Sequence, residues 1–279
     1  LGGTYFSNDN RYMGYSINTS GSDWREFYIM DLETGDLLND HLQWIKFSGM
    51  NWHGNGFYYT RYPEPKDNKI LSSSNENSKV YYHHLGTSQT ADEIIYYDPK
   101  SPRISPMISS TDDERFLFLY RFKGTYGVSL SFRDTWNTTD GWTPIVEDYN
   151  SDIYVLDHFN GFLIAQTDRN APYKKIVKID PKNPSEKYWK TLIVGTKEEV
   201  ISNVNIVGGK LFAHFTENVL SVWKVYDLNG DYLYNVELPS KGIVNGFNGK
   251  IDQNKTWYSF NNSVNPTTIF KYNVLTNSS

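Results

Sequence analysis

Cysteine is absent from the chain. A disulfide framework, a thiolate zinc site and a cysteine nucleophile are thereby excluded. Leu, Ile and Val are thin, and no apolar run approaches the roughly 18 residues of a membrane-spanning helix. No block of Lys or Arg stands out: 27 basic residues face 32 acidic ones, for a formal net charge of −5. A nucleic-acid surface is not expected from that balance, nor a membrane partner from a chain with no such apolar run. Collagen-like and coiled-coil repeats are missing, as are a Gly-x-Ser-x-Gly nucleophile elbow and a Gly-x-x-x-x-Gly-Lys phosphate loop. Leu1 opens the chain without a Met, a basic n-region or an apolar h-region. The sequence reads as a segment of something longer, and the lack of cysteine fits a cytoplasmic location. Sequons begin at Asn18, Asn137, Asn254, Asn261 and Asn277, a number expected by chance in a chain this rich in Asn, Ser and Thr.

What the chain has instead is rings. Twenty-two Tyr, 15 Phe and 8 Trp raise the aromatic share to 16%, far from the aromatic-poor composition of a disordered chain. The 279 residues suffice for a large core, as two average domains or one large all-β unit.

Periodicity favours strands almost throughout. Runs rich in Tyr, Phe, Ile and Val alternate with turn residues over Glu26–Asp31, Gly56–Tyr62, Lys79–His84, Arg115–Phe122, Lys174–Ile179 and Ser221–Asp227. Lys197–Asn203 is the one stretch expected to hold a helical turn. The runs repeat. A strand ending in an Asp-, His- or Asn-containing turn recurs at Asp31, His84, Asp134, Asp180, Asp227 and Asn273, at a spacing of about 50 residues that suits a four-stranded propeller blade. A second series of tight turns, at Asn8-Asp9-Asn10, His53–Gly56, Asp112–Glu114, Asn160-Gly161, Gly208-Gly209 and Asn248-Gly249, precedes aromatic strands and suits the hairpin between a blade's two inner strands. Six units follow, with approximate limits 1–43, 44–99, 100–149, 150–196, 197–239 and 240–279, the last lacking its outer strand. One or two β-sandwiches would explain short strands but not a sustained period. Rings packed between blades then account for the aromatic excess.

Little chemistry is visible. His83 and His84 are neighbours on a strand, point to opposite faces and cannot share an ion. Asp227-Leu228-Asn229-Gly230-Asp231 looks like part of a calcium loop but lacks the later bidentate Glu, and a hairpin turn is the favoured reading. Asp112-Asp113-Glu114 and Lys197-Glu198-Glu199 read as solvated clusters rather than acid–base pairs. Asp152, Asp157 and Asp168 are the candidates for a glycosidase-like set, with no spacing that singles them out. No metal site, cofactor or catalytic residue is assigned.

Some segments are more specific. Ser20-Gly21-Ser22-Asp23-Trp24, then Arg25–Asp31, Thr34-Gly35, Trp44-Ile45-Lys46-Phe47-Ser48-Gly49, Asn55–Pro63 and Val80–Thr87, in that order and spacing, resemble the propeller domain of prolyl oligopeptidase, the post-proline serine endopeptidase. The match is strong over 1–99 and weaker after about residue 100, where Asp112-Asp113 and Lys174–Asp180 still fit. The resemblance implies an all-β fold, a propeller of the seven-bladed type with about six four-stranded blades in 1–279. The N-terminal blade and the C-terminal α/β-hydrolase domain, which carries the family's Ser, Asp and His, lie outside this sequence. The implied role is the non-catalytic lid of a hydrolase that cleaves short proline-containing peptides. It acts by steric exclusion, keeping folded proteins from a sequestered triad.

In the family, ring closure comes from hydrophobic packing rather than a shared strand. A segment one blade short is therefore expected to expose an edge. The partners implied are short proline-containing peptides and the hydrolase domain of the same chain, with the protein a monomer. A stand-alone scaffold for protein–protein interaction would carry Trp-Asp strand ends, which are not here. A family member that ligates peptides into macrocycles would look the same over these residues.

Three positions carry over by resemblance. Phe47, in Lys46-Phe47-Ser48, matches a family residue lining the substrate pocket; the alternative is blade core. Asp23 matches an acidic residue at the propeller–hydrolase interface, and the alternative is a turn cap. The family's substrate-holding Arg falls on Phe122, with Arg121 one place earlier. Arg121 is assigned to substrate binding on the condition that the loop 123–127 differs in shape, since a one-residue slip reverses the face.

Overall fold

A computed structural model describes residues 1–18, 21–65, 74–137, 141–217 and 220–279. The chain divides into two compact units, Leu1–Asn150 and Ser151–Ser279, each of three antiparallel sheets whose strands are ordered as in the sequence. The first unit holds β1 (Gly3–Phe6), β2 (Tyr12–Asn18), β3 (Arg25–Asp31) and β4 (Leu37–Ile45) in sheet one. Sheet two is β5 (Asn51–His53), β6 (Gly56–Arg61), β7 (Lys79–His84) and β8 (Glu93–Tyr96). Sheet three is β9 (Ser105–Ser110), β10 (Phe116–Phe122), β11 (Val128–Asp134) and β12 (Thr143–Val146). The second unit holds β13 (Ile153–Phe159), β14 (Phe162–Thr167), β15 (Lys175–Ile179) and β16 (Lys190–Val194) in sheet four. Sheet five is β17 (Val200–Val207), β18 (Lys210–Glu217), β19 (Leu220–Asp227) and β20 (Tyr232–Asn235). Sheet six has three strands, β21 (Ile243–Gly246), β22 (Lys255–Asn261) and β23 (Thr268–Asn273), as the shortened last unit leads one to expect.

The alternation that sequence periodicity reads is a real difference of face. Along β22, Thr256, Tyr258 and Phe260 are buried while Lys255 and Trp257 are exposed. The middle strand β6 is instead buried on both faces, and the two faces serve different neighbours. From β6, Phe57 and Tyr59 join Phe27, Ile29 and Leu42 of sheet one. Tyr58, between them, joins Ile108, Leu117 and Leu119 of sheet three. The same layering recurs in the second unit, where Ile164 and Ile176 pack on Val204 and Phe215. There Trp223 and Val225 pack on Phe247, Tyr258 and Tyr272. Rings interleaved between sheets fill much of the core, beside an aliphatic layer around Ile164, Ile201 and Val204, and account for the aromatic excess.

All the recurrent strand-end turns but the one at His84 have a common cause. The Asp31 carboxylate accepts the Glu33 N–H at 2.9 Å, and the Asn273 amide oxygen accepts the Leu275 N–H at 2.9 Å. Asp227 accepts the N–H groups of Asn229 at 2.8 Å and Asp231 at 2.9 Å, so the calcium-like segment is such a turn. The expected helical turn at Lys197–Asn203 is a correction: β17 already begins at Val200. Ile201 is fully buried there and pairs with Phe215 across the ladder, and strand pairing wins over local helical preference. The helical turns lie elsewhere, as 3-10 turns at Gln89–Ala91 and Glu186–Tyr188. Among the described residues no helix is long and apolar enough to cross a membrane.

Candidate functional site

Antiparallel order decides which loops share an end. In the first unit, β1, β5 and β9 lie side by side. The β2–β3, β6–β7 and β10–β11 hairpins and the β4–β5 connection therefore sit at one end, and the β1–β2, β5–β6 and β9–β10 hairpins at the other. Asp23 lies in the first of these hairpins, Phe47 in the β4–β5 connection, and Arg121 one residue from the end of β10. All three resemblance-derived residues fall at the same end.

Phe47 is 61% exposed, so the blade-core alternative does not hold. Its φ is 53° and that of Trp44 is 64°, two non-glycine residues on left-handed backbone, each costing about 1–2 kcal/mol. The surrounding bonds hold the corner in place. The Tyr62 N–H donates to the Trp44 carbonyl at 3.0 Å. The Thr60 N–H donates to the Ser48 Oγ at 2.9 Å, and that hydroxyl donates to the Gly49 carbonyl at 2.9 Å. An apolar ring is thus presented to solvent from a left-handed backbone corner.

Asp23 is exposed. The Trp24 N–H is accepted by the Ser22 Oγ at 3.1 Å, so Ser22, not Asp23, caps this turn. Arg121 lies on the face of β10 shared with Leu117 and Leu119, toward sheet two. Its Nη2 donates to the Ser129 Oγ at 2.5 Å, and its Nε is buried with no hydrogen-bond partner among the described residues. Phe122 is on the opposite face, stacked with Tyr120 at 6.3 Å. Arg121 is therefore half-buried against its own sheet.

The other carboxylate candidates are taken up by turns and ion pairs or are buried. Asp168 accepts the Asp152 N–H at 2.8 Å, Asp157 is buried, and Glu199 pairs with Lys224 at 2.7 Å. Asp113 accepts the Thr111 hydroxyl and the Arg115 N–H. Glu114, at the opposite end from Phe47, has one carboxylate oxygen on the Asn8 amide at 2.5 Å and the other on the Gly54 N–H at 2.8 Å. It ties the first hairpins of all three sheets of the unit, so the reading of this cluster as merely solvated is too weak.

Two groupings escaped the sequence. One is aromatic: Lys46, 8% exposed, sets its Nζ 4.1 Å from the Trp24 ring centre, and Trp24 meets Trp44 and Tyr62 edge-on at 5.6 and 6.4 Å. The other is ionic. His83 is fully buried, with Nδ1 2.7 Å from Asp92 and Nε2 2.9 Å from Asp40. Burial alone would push the imidazole pKa down; the two carboxylates overcome it and raise the value to about 9. Burial likewise works against the Asp40 carboxylate, but hydrogen bonds from His83 and the Gly86 N–H hold it below its ordinary range. His84, next in the chain at the strand end, points the other way and is exposed.

With this geometry in hand, comparison with known proteins is specific. The family profile described as "Prolyl oligopeptidase, N-terminal beta-propeller domain" matches residues 1–279. The prolyl endopeptidase of Elizabethkingia meningoseptica is 38% identical over 100% of this chain and 39% of its own length. The dual function macrocyclase-peptidase POPB of Galerina marginata is 26% identical over 81% of this chain and 33% of its own. A structure from a study of two prolyl endopeptidases superposes with a TM-score of 0.89 at 27% identity, covering 99% of this chain and 39% of that one. Prolyl oligopeptidase B of Galerina marginata shares the fold, with a TM-score of 0.85 at 23% identity over 98% of this chain and 40% of that one. The chain spans about two fifths of the length of the curated relatives it matches. Its six antiparallel sheets are propeller blades, and the chain belongs to the prolyl oligopeptidase N-terminal β-propeller family.

Proposed function

We propose that this propeller is the gating part of a serine endopeptidase that cleaves short peptides after proline, and that its Phe47 end faces the α/β-hydrolase domain. The observation that carries the reading is Phe47 itself, a ring 61% exposed on left-handed backbone at the end that also holds Asp23 and Arg121. An apolar side chain fixed in solvent at an energetic cost suits contact with apolar substrate atoms. Asp23, exposed and not used as a turn cap, suits pairing with a cation across the domain interface. Arg121 supplies a guanidinium beside the substrate path, its Nη2 steadied by Ser129. The propeller contributes exclusion rather than chemistry: short peptides reach the triad and folded proteins do not. The cytoplasm and a monomeric state accompany this reading. A macrocyclase-peptidase of the same family, such as the relative 26% identical to this chain, is the alternative reading.

The test of gating uses the full-length enzyme. A ten-residue proline peptide and the same ten residues within a folded protein's surface loop are offered at equal concentration. Rapid cleavage of the free peptide alone is expected; equal cleavage of both would contradict the reading.

A further inference from the structure

We propose that the Trp24–Lys46 pair is a positioning device for Phe47, coupling the β2–β3 hairpin to the β4–β5 connection. The inference rests on the reading that Phe47 meets substrate. Lys46 and Phe47 are consecutive yet opposite in environment, 8% and 61% exposed. A lysine is seldom buried without a partner that stabilises its charge. No carboxylate lies within ion-pair distance of Lys46 among the described residues. Its ammonium instead lies 4.1 Å from the Trp24 ring centre and donates to the Asn75 Oδ1 at 3.1 Å. A desolvated ammonium over an indole face is a strong form of this contact.

The two residues that meet are the immediate neighbours of the two residues assigned to the functional face. Trp24 follows Asp23, and Lys46 precedes Phe47. Trp24 is itself fixed edge-on between Trp44 and Tyr62, and Trp44 shares the left-handed corner with Phe47. On the far side of Phe47, Ser48 is held by the Thr60 N–H. Phe47 thus projects from a short arch anchored on one foot by a cation–π contact and on the other by hydrogen bonds. Loss of the first anchor frees the peptide unit that aims the ring. Lys46 and Trp24 act through Phe47 and are positioning residues, with no contact to substrate required.

The test measures kcat and KM for a proline-containing fluorogenic peptide in the full-length enzyme, with a melting curve for each variant. Lys46→Met keeps the length of the side chain and removes its charge. It is expected to raise KM about tenfold with kcat changed less than about twofold, because a binding contact is misplaced while the triad is untouched. Lys46→Arg restores KM to within about twofold, since guanidinium also binds an indole face. Trp24→Phe, the milder variant should Lys46→Met fail to fold, gives an intermediate KM. In a Phe47→Ala background, Lys46→Met adds nothing further.

An unchanged KM in Lys46→Met and Trp24→Phe, beside a raised KM in Phe47→Ala, overturns the positioning role alone. A Lys46 effect that adds in full to that of Phe47→Ala also overturns it. An unchanged KM in Phe47→Ala overturns the reading of Phe47 and this inference with it.

Discussion

The Nδ1 of His83 and the carboxylate of Asp92 meet at 2.7 Å with neither side chain exposed to solvent, while the Nε2 of the same ring reaches Asp40 of the neighbouring sheet at 2.9 Å. Both ring nitrogens face acceptors, so the ring is an imidazolium, and it joins sheet one to sheet two. Asp92 also accepts the Tyr59 hydroxyl at 2.6 Å, and Asp40 the Gly86 N–H at 2.7 Å. The arrangement contributes to the pH dependence of the first unit's stability.

His83 binds its proton more tightly folded, near a pKa of about 9, than unfolded, near 6.5. Between those values the native state holds more protons, so stability falls as pH rises. The contribution is full below pH about 6.5 and lost through pH about 9, on the order of 3 kcal/mol in all. In acid, protonation of Asp40, whose folded pKa is depressed, removes stability as pH falls. Urea midpoints of the chain from pH 3 to 10 should be highest on the mildly acidic side, at about pH 5 to 6.5, and decline on each side, with the alkaline decline already under way at neutrality. A midpoint that stays level from pH 6.5 to 9.5 would contradict the assignment.

His83→Gln leaves two buried carboxylates without a cation. A loss of about 3–5 kcal/mol in denaturant unfolding is expected. A loss under about 1 kcal/mol would mean the triad is solvated and weak.

Glu114 is the corresponding tie at the opposite end of the first unit. Replacing it by Ala removes acceptors from the Asn8 amide and the Gly54 N–H. A loss of about 1–3 kcal/mol follows, read as a lower midpoint in urea with little change in slope.

Phe247 is the hub of the second unit's outer core, fully buried and in ring contact with Phe212, Trp223, Tyr258 and Tyr272 at 4.7–5.4 Å. Phe247→Ala should cost about 3–5 kcal/mol, seen as a drop in thermal midpoint and loss of near-ultraviolet dichroism.

The blades were legible in the sequence because strand alternation and Asx turns are local. Asp31, Asp180 and Asp227 announce their turns within four residues, and Thr256, Tyr258 and Phe260 announce their face two residues at a time. The exposure of Phe47 came from resemblance, not from pattern, since Trp44–Gly49 reads as an ordinary apolar strand end. The triad of Asp40, His83 and Asp92 was illegible because its members lie on two sheets and meet only through packing. Lys46 misleads in the same way: a lysine is read as solvated until its aromatic surroundings are known. No helical turn forms over Lys197–Asn203 because its second half already belongs to the β17–β18 ladder, where Ile201 is buried opposite Phe215.

Whether Phe47 forms part of a substrate-facing surface is decided by kcat/KM of the full-length enzyme and its Phe47→Ala variant, on matched peptides with proline or alanine before the scissile bond. The variant should keep its melting temperature, lose about tenfold or more in kcat/KM on the proline peptide and discriminate less between the two. Unchanged efficiency and unchanged proline selectivity in the folded variant would contradict it.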